Sequence, residues 1–159
     1  MATALPPDFS EFLQLLNSNR VQYLLIGGYA INIYGYSRNT QDLDVWVAIE
    51  KGNADRIVQA LHAFGFAAAT PELFLEPSQV IRMGVPPMRI EILTSISGVE
   101  FDECYERRRI ETIAGVDIPV IGPDDLIANK LASGRLKDRA DAERIVRMTQ
   151  GKQPGENNN

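Results

Sequence analysis

Apolar residues Phe9, Phe12, Leu13 and Leu16 recur at helical spacing behind Asp8-Phe9-Ser10-Glu11, which reads as a capping box. The first predicted element is therefore a helix, ended by Asn17-Ser18-Asn19. Val21 to Ile26 is a short apolar run between turn residues and predicts a buried strand. Gly27-Gly28 breaks it, and Tyr29 to Tyr34 predicts a short helix starting directly at the glycines. After a loop from Gly35 to Gln41, Asp42 to Ile49 predicts a second strand. Asn53 to Phe64 has the pattern of an amphipathic helix with Ile57, Val58, Leu61 and Phe64 inward, and Gly65 stands where a C-terminal glycine belongs. Phe66 to Pro77 carries no clear period. Gln79 to Val85 and Met88 to Leu93 predict two strands joined across Pro86-Pro87, and Phe101 to Arg109 predicts a helix. Glu111 to Ile121 predicts a small hairpin or two short strands around Ala114-Gly115. Pro123 suits the first turn of a helix running to about Ser133; Gly134 interrupts, and Asp138 to Thr149 is the last helix.

This order predicts one α/β (α+β) domain over residues 1–150, with a mixed β-sheet flanked by helices and a helical C-terminal part. Residues 151–159, polar and ending in three asparagines, are expected to be a disordered tail. The length of 159 residues fits one domain able to bury a core without staples. A formal net charge of -5 argues against broad non-specific nucleic-acid binding, though not against a local basic patch. The single cysteine, Cys104, excludes an internal disulfide and fits a reducing cytoplasm. Met1 to Pro7 has no secretory pattern, and no run approaches the roughly 18 apolar residues of a membrane span, so no membrane association is expected.

Asp42 and Asp44 lie two apart on a predicted strand, so both point to one face while Leu43, Val45 and Val47 face the core. Paired carboxylates repel unless a positive charge sits between them, and a hard divalent ion such as Mg²⁺ suits their oxygens. On an edge strand the same pair would simply be solvated. Gly27-Gly28, at a strand-to-helix junction just upstream, lets backbone N–H groups approach an anion. Glu91 stands isolated among apolar neighbours in Met88 to Leu93. It joins the aspartates if that strand pairs beside theirs, or faces outward paired with Arg89 or a neighbour. Arg38 could contact phosphate from the loop before Asp42 or stay solvated there. Arg107-Arg108-Arg109 lies among Glu103, Glu106 and Glu111 and reads as a solvated helix face. His62 and Cys104 have no ligand partners at metal spacing and read as structural, and Trp46 as core or as a wall of a base pocket.

Together, Ile26-Gly27-Gly28, then Asp42-Leu43-Asp44-Val45 with thirteen residues between Gly28 and Asp42, then Glu91, resemble the DNA polymerase beta-like nucleotidyltransferase superfamily. Gly27 to Asn32, Arg38, Thr40, Leu93 to Gly98 and the run Asn129 to Asp138 with Asp141 are similar to small bacterial members near the abortive-infection toxin type. The resemblance implies a nucleotidyltransferase fold and a nucleoside triphosphate with its phosphates on Gly27-Gly28. It also implies Mg²⁺ on Asp42, Asp44 and Glu91, which would be the catalytic carboxylates. Lys130 would reach triphosphate oxygens, with Asp138 and Asp141 orienting Lys130 or Lys137; the plainer reading of this segment is a charged interhelical turn capped by Asp138. Two residues depart from the pattern. Gly28 stands where many active members have serine, and Glu91 where aspartate is commoner. A longer side chain there displaces the carboxylate, and a shift near 1 Å can lower a rate ~10²-fold.

Three functions follow from the resemblance. The first is nucleotidyl transfer to a hydroxyl of RNA or protein, within a toxin–antitoxin pair that would supply a cognate protein partner. The second is transfer to a small molecule such as an antibiotic. The third is a degenerate protein that binds nucleotide or a partner without turnover, which the two departures favour.

Overall fold

The computed structural model describes residues 5–35, 40, 42–85 and 88–149. Arg38, the Pro86-Pro87 connection and the tail 151–159 lie outside them. The chain forms an α/β domain around one six-stranded mixed sheet. Helix α1 (Pro7–Ser18) leads into strand β1 (Tyr23–Ile26), helix α2 (Gly27–Ile33) and strand β2 (Asp42–Val47). Helix α3 (Lys51–Phe64) and a short 3₁₀ turn (Pro71–Phe74) precede strands β3 (Val80–Met83) and β4 (Arg89–Leu93). Helix α4 (Phe101–Glu106), the hairpin of β5 (Arg109–Ile113) and β6 (Val116–Val120), and helices α5 (Pro123–Ala132) and α6 (Leu136–Thr149) complete the order.

In the sheet the strands run β3-β4-β2-β1-β6-β5. β2 is antiparallel to β1 and parallel to β4, and β1 is parallel to β6. The two outer pairs, β3 with β4 and β5 with β6, are antiparallel. β1 is buried at all four positions, as its unbroken apolar run predicts for a strand covered on both faces.

The apolar stripe of α1 is fully buried at Phe9, Phe12, Leu13 and Leu16. Phe9 meets Tyr29 of α2 edge-on at 5.9 Å and Phe12 meets Phe64 of α3 at 5.4 Å, so α1 braces both. The expected capping box does not form: the helix starts at Pro7, behind an extended Pro6, without a side-chain cap. Proline's fixed φ suits the first helical position, which moves Asp8 inside the first turn rather than in front of it. Helix α3 starts two residues before the predicted Asn53 because Glu50 accepts from the Gly52 and Asn53 amides at 2.8 and 2.9 Å. Asn53 is buried and bonds Gln22 N, Gln22 O and Ala48 O, tying the start of β1 to the end of β2.

The largest departure follows Tyr105. Helix α4 stops at Glu106 and Arg109 opens β5. The three arginines are not one helix face. Arg107 grips Asp125 with two bonds of 3.0 and 2.9 Å, Arg108 lies over the Tyr105 ring and Arg109 over Tyr34. No helix among the described residues is long and apolar enough to cross a membrane.

Candidate active site

Antiparallel pairing sets Ile26, the last residue of β1, opposite Asp44, so the glycine turn lies beside the second aspartate. Gly27 has φ +71, and a Cβ there would overlap Asp44 Oδ2. The position thus requires glycine for both its backbone and its space. At Gly28 a Cβ would lie 2.5 Å from Thr40 Oγ1 and 2.9 Å from Thr40 Cβ. A serine at position 28 would displace Thr40, whose hydroxyl already occupies that side of the turn.

On the other side of β2, parallel pairing sets Arg89 opposite Asp42 and Glu91 opposite Asp44. Residues i and i+2 of a strand share a face, so all four side chains form one cross-strand patch. Glu91 therefore lies beside the aspartates, and it is paired with arginine as the alternative expected, but it faces them rather than outward. Arg82 Nε donates to Glu91 Oε2 at 2.6 Å, and Arg89 Nη2 donates to Asp42 Oδ2 at 2.8 Å. Arg89 Nε forms an ion pair with Glu91 Oε2 at 3.6 Å, too long for a hydrogen bond, and is buried without a hydrogen-bond partner. Asp44 Oδ1 is likewise buried without a partner.

Asp44 carries the strongest electrostatic strain of the site. Burial, then the charge and hydrogen bond of Glu91 and the charge of Asp42, push its carboxyl up to about 7; the Lys130 ammonium pulls the other way. As they stand, no three acidic, histidine or cysteine side chains among the described residues surround a metal-sized space. The chemistry of the donor set nevertheless suits a divalent ion: Asp42, Asp44 and Glu91 share one face of adjacent strands, Asp44 Oδ1 lacks any hydrogen-bond donor, and Glu91 and Asp42 crowd the buried Asp44.

Lys130 reaches the site from the last turn of α5. The loop after β4 places that helix: Asn129 Nδ2 donates to Ser97 O at 3.0 Å, and Gly98 packs so closely on Ala132 that no Cβ fits between. Thr94 anchors the loop, donating to Glu76 O at 2.7 Å and accepting from Gln79 N at 2.9 Å. Lys130 Nζ lies 3.3 Å from Asp138 Oδ1 and 3.8 Å from Asp141 Oδ2, both buried carboxylates. Asp138 Oδ2 also accepts from Ser133 Oγ at 2.6 Å and Arg135 Nε at 2.8 Å. Burial alone would raise the Asp138 carboxyl, but Ser133, Lys130 and Arg135 together hold it below its ordinary value. Lys137 is exposed on α6, and the network runs through Arg135 instead.

Trp46 continues the Asp42–Asp44 face but is buried against Phe101, ring centroids 5.1 Å apart. It also borders a cavity of about 480 Å³ with Gln22, Glu50, Thr94 and Phe101, at the end of β2 away from the glycines. His62 Nε2 lies 3.0 Å from Ala69 O, and Cys104 is buried. Sequence reasoning missed Arg82 and saw Arg89 only as an outward partner of Glu91. Their signal was charge alternation at i and i+2 on the strand facing the aspartates, which becomes meaningful only once the β2–β4 register is known.

A family model described as nucleotidyltransferase of unknown function (DUF6036) matches residues 8–148. No curated protein matches the sequence. Solved structures share the fold at low identity. A Thermotoga maritima protein assigned as a nucleotidyltransferase (TM1012) aligns with a TM-score of 0.59 at 16% identity, covering 86% of this chain and 88% of that one. The lincosamide antibiotic adenylyltransferase LnuA, solved with lincomycin bound, aligns at 0.54 and 14% identity, covering 92% of this chain and 99% of that one. The antibiotic-resistance factor ANT(2'')-Ia aligns at 0.59 and 11% identity, over 91% and 83% of the two chains.

Proposed function

This chain belongs to that nucleotidyltransferase family, and from this we propose that it moves a nucleoside monophosphate from a nucleoside triphosphate to an acceptor hydroxyl. The observation that carries the reading is the convergence of the Gly27-Gly28 turn with Asp42, Asp44 and Glu91, in which buried Asp44 Oδ1 has no partner. Asp42, Asp44 and Glu91 would hold Mg²⁺, which when bound neutralises charge on the attacking and leaving oxygens. The Gly27 and Gly28 amides, first in α2, would donate to phosphate oxygens. Lys130, held by Asp138 and Asp141, offers a compact positive charge to the triphosphate. Glu91 would take the acceptor's proton. The acceptor oxygen bonds to the α-phosphorus, the bond to the bridging oxygen breaks, and pyrophosphate leaves.

Two acceptor classes have support. A hydroxyl of RNA or protein, in a toxin–antitoxin setting with a cognate protein, follows from the motif resemblance. A small-molecule acceptor is favoured by the fit to LnuA, an antibiotic adenylyltransferase of which 99% is covered by this single domain. Incubation of the protein with Mg²⁺ and α-labelled triphosphates separates them. Label on RNA or protein from a lysate supports the first, and label on an added small polyol or antibiotic supports the second. Transfer should vanish in Asp42→Ala and Asp44→Ala. Full activity in either variant, or no nucleotide binding by the parent protein, refutes the reading.

A further inference from the structure

We infer that Arg89 is an exchangeable counter-ion: it neutralises Asp42 in the free protein and transfers its guanidinium to the phosphates when a metal–triphosphate complex enters. The inference rests on the nucleotidyl-transfer reading and names a further substrate-binding residue for it. Arg89 is the first residue of β4, directly across the ladder from Asp42, and bonds it at 2.8 Å. Both side chains are about one-third exposed, so the pair is open to exchange rather than sealed in the core. Glu91 keeps a closer cation of its own when Arg89 moves: Arg82 bonds it at 2.6 Å, whereas Arg89 Nε stands 3.6 Å away. Arg89 Nε makes no hydrogen bond although it is buried. A guanidinium so placed has an unused donor and a surface-accessible partner, in a patch where Asp44 Oδ1 is an unused acceptor.

An arginine does not leave such a site by losing its proton, so it must move. A divalent cation bound at Asp42 alone would meet this guanidinium as a like charge and displace its only short bond in the patch. A triphosphate arriving with the cation supplies replacement acceptors, and the forked guanidinium matches phosphate oxygens with two donors. Arg89 therefore couples the two binding events: it opposes cation alone and favours cation with polyphosphate.

Binding of Mn²⁺ alone, and of inorganic triphosphate at saturating Mn²⁺, can be measured by calorimetry on the full chain. Arg89→Ala should bind Mn²⁺ alone about three- to tenfold more tightly, because a competing cation is gone. The same variant should bind triphosphate roughly tenfold or more weakly, the value of a charge-assisted bond. Arg89→Lys keeps the charge but not the fork, so it should leave Mn²⁺ affinity near the parent's and still weaken triphosphate binding. That variant decides the matter if the alanine protein does not fold. Variants indistinguishable from the parent in both titrations overturn the exchange alone. A parent protein that binds neither Mn²⁺ nor Mn²⁺–triphosphate overturns the exchange together with the site reading beneath it.

Discussion

Replacing Asp44 by asparagine should stabilise the metal-free protein at alkaline pH while removing a proposed metal ligand. In the native state the Asp44 carboxyl is raised from its ordinary 3.8 to about 7, first by burial and then by Glu91 and Asp42. Between these values the folded chain binds a proton that the unfolded chain has lost. Stability contributed by this group is therefore full below about pH 4 and falls until the pH passes about 7. Each tenfold change in proton affinity is worth about 1.4 kcal/mol, so the buried negative charge costs roughly 2–4 kcal/mol at pH 8. Asparagine keeps the shape, can still donate to Glu91, and never ionises. Thermal unfolding in a chelator should show Asp44→Asn melting roughly 5–10 °C above the parent at pH 8, using ~2–4 °C per kcal/mol for this size. The two should melt within about 2 °C of each other at pH 4 or below, where the carboxyl is protonated in both the folded and the unfolded parent. Equal effects at both pH values, or a loss of stability at pH 8, would refute the claim that charge crowding strains this site.

Other expectations follow from the same geometry. Gly27→Ala must accommodate a φ of +71 and a Cβ that overlaps Asp44 Oδ2, so denaturant titration should show a loss of more than about 1 kcal/mol, and calorimetry should show no triphosphate binding. Asp138→Ala removes a buried acceptor shared by Ser133, Lys130 and Arg135; unfolding should show a loss of about 2–4 kcal/mol, and triphosphate binding should weaken because Lys130 is no longer held. Because a metal must displace the Asp44 proton, the Mn²⁺-induced rise in melting temperature should grow steadily from pH 6 to pH 8. A flat profile would show that Asp44 is not a ligand.

Much of this architecture is written in local patterns. The stripe Phe9, Phe12, Leu13, Leu16 and the unbroken run of β1 specify their elements because one period dominates each. The Asp42–Asp44 pair is legible for the same reason: alternation alone places both carboxylates on one face. What local pattern cannot give is register. Only the parallel pairing of β2 with β4 puts Glu91 against Asp44 and Arg89 against Asp42, and that choice depends on the whole sheet. The end of α4 at Glu106 was hidden for a related reason, since Arg107 is fixed by Asp125, eighteen residues away. The glycine at position 28, a departure when read alone, becomes intelligible beside Thr40, which fills the space a side chain would need.

On the proposed reading, function depends on the glycine turn and the three carboxylates gripping a cation and a triphosphate together. Crystals grown with Mn²⁺ and a non-hydrolysable nucleoside triphosphate test this through the anomalous signal of the ion. A manganese peak is expected in contact with Asp42 and Asp44 and within reach of Glu91, with phosphate oxygens against the Gly27 and Gly28 amides. A nucleotide bound elsewhere, or manganese absent from these carboxylates while Arg89 still holds Asp42, would contradict it.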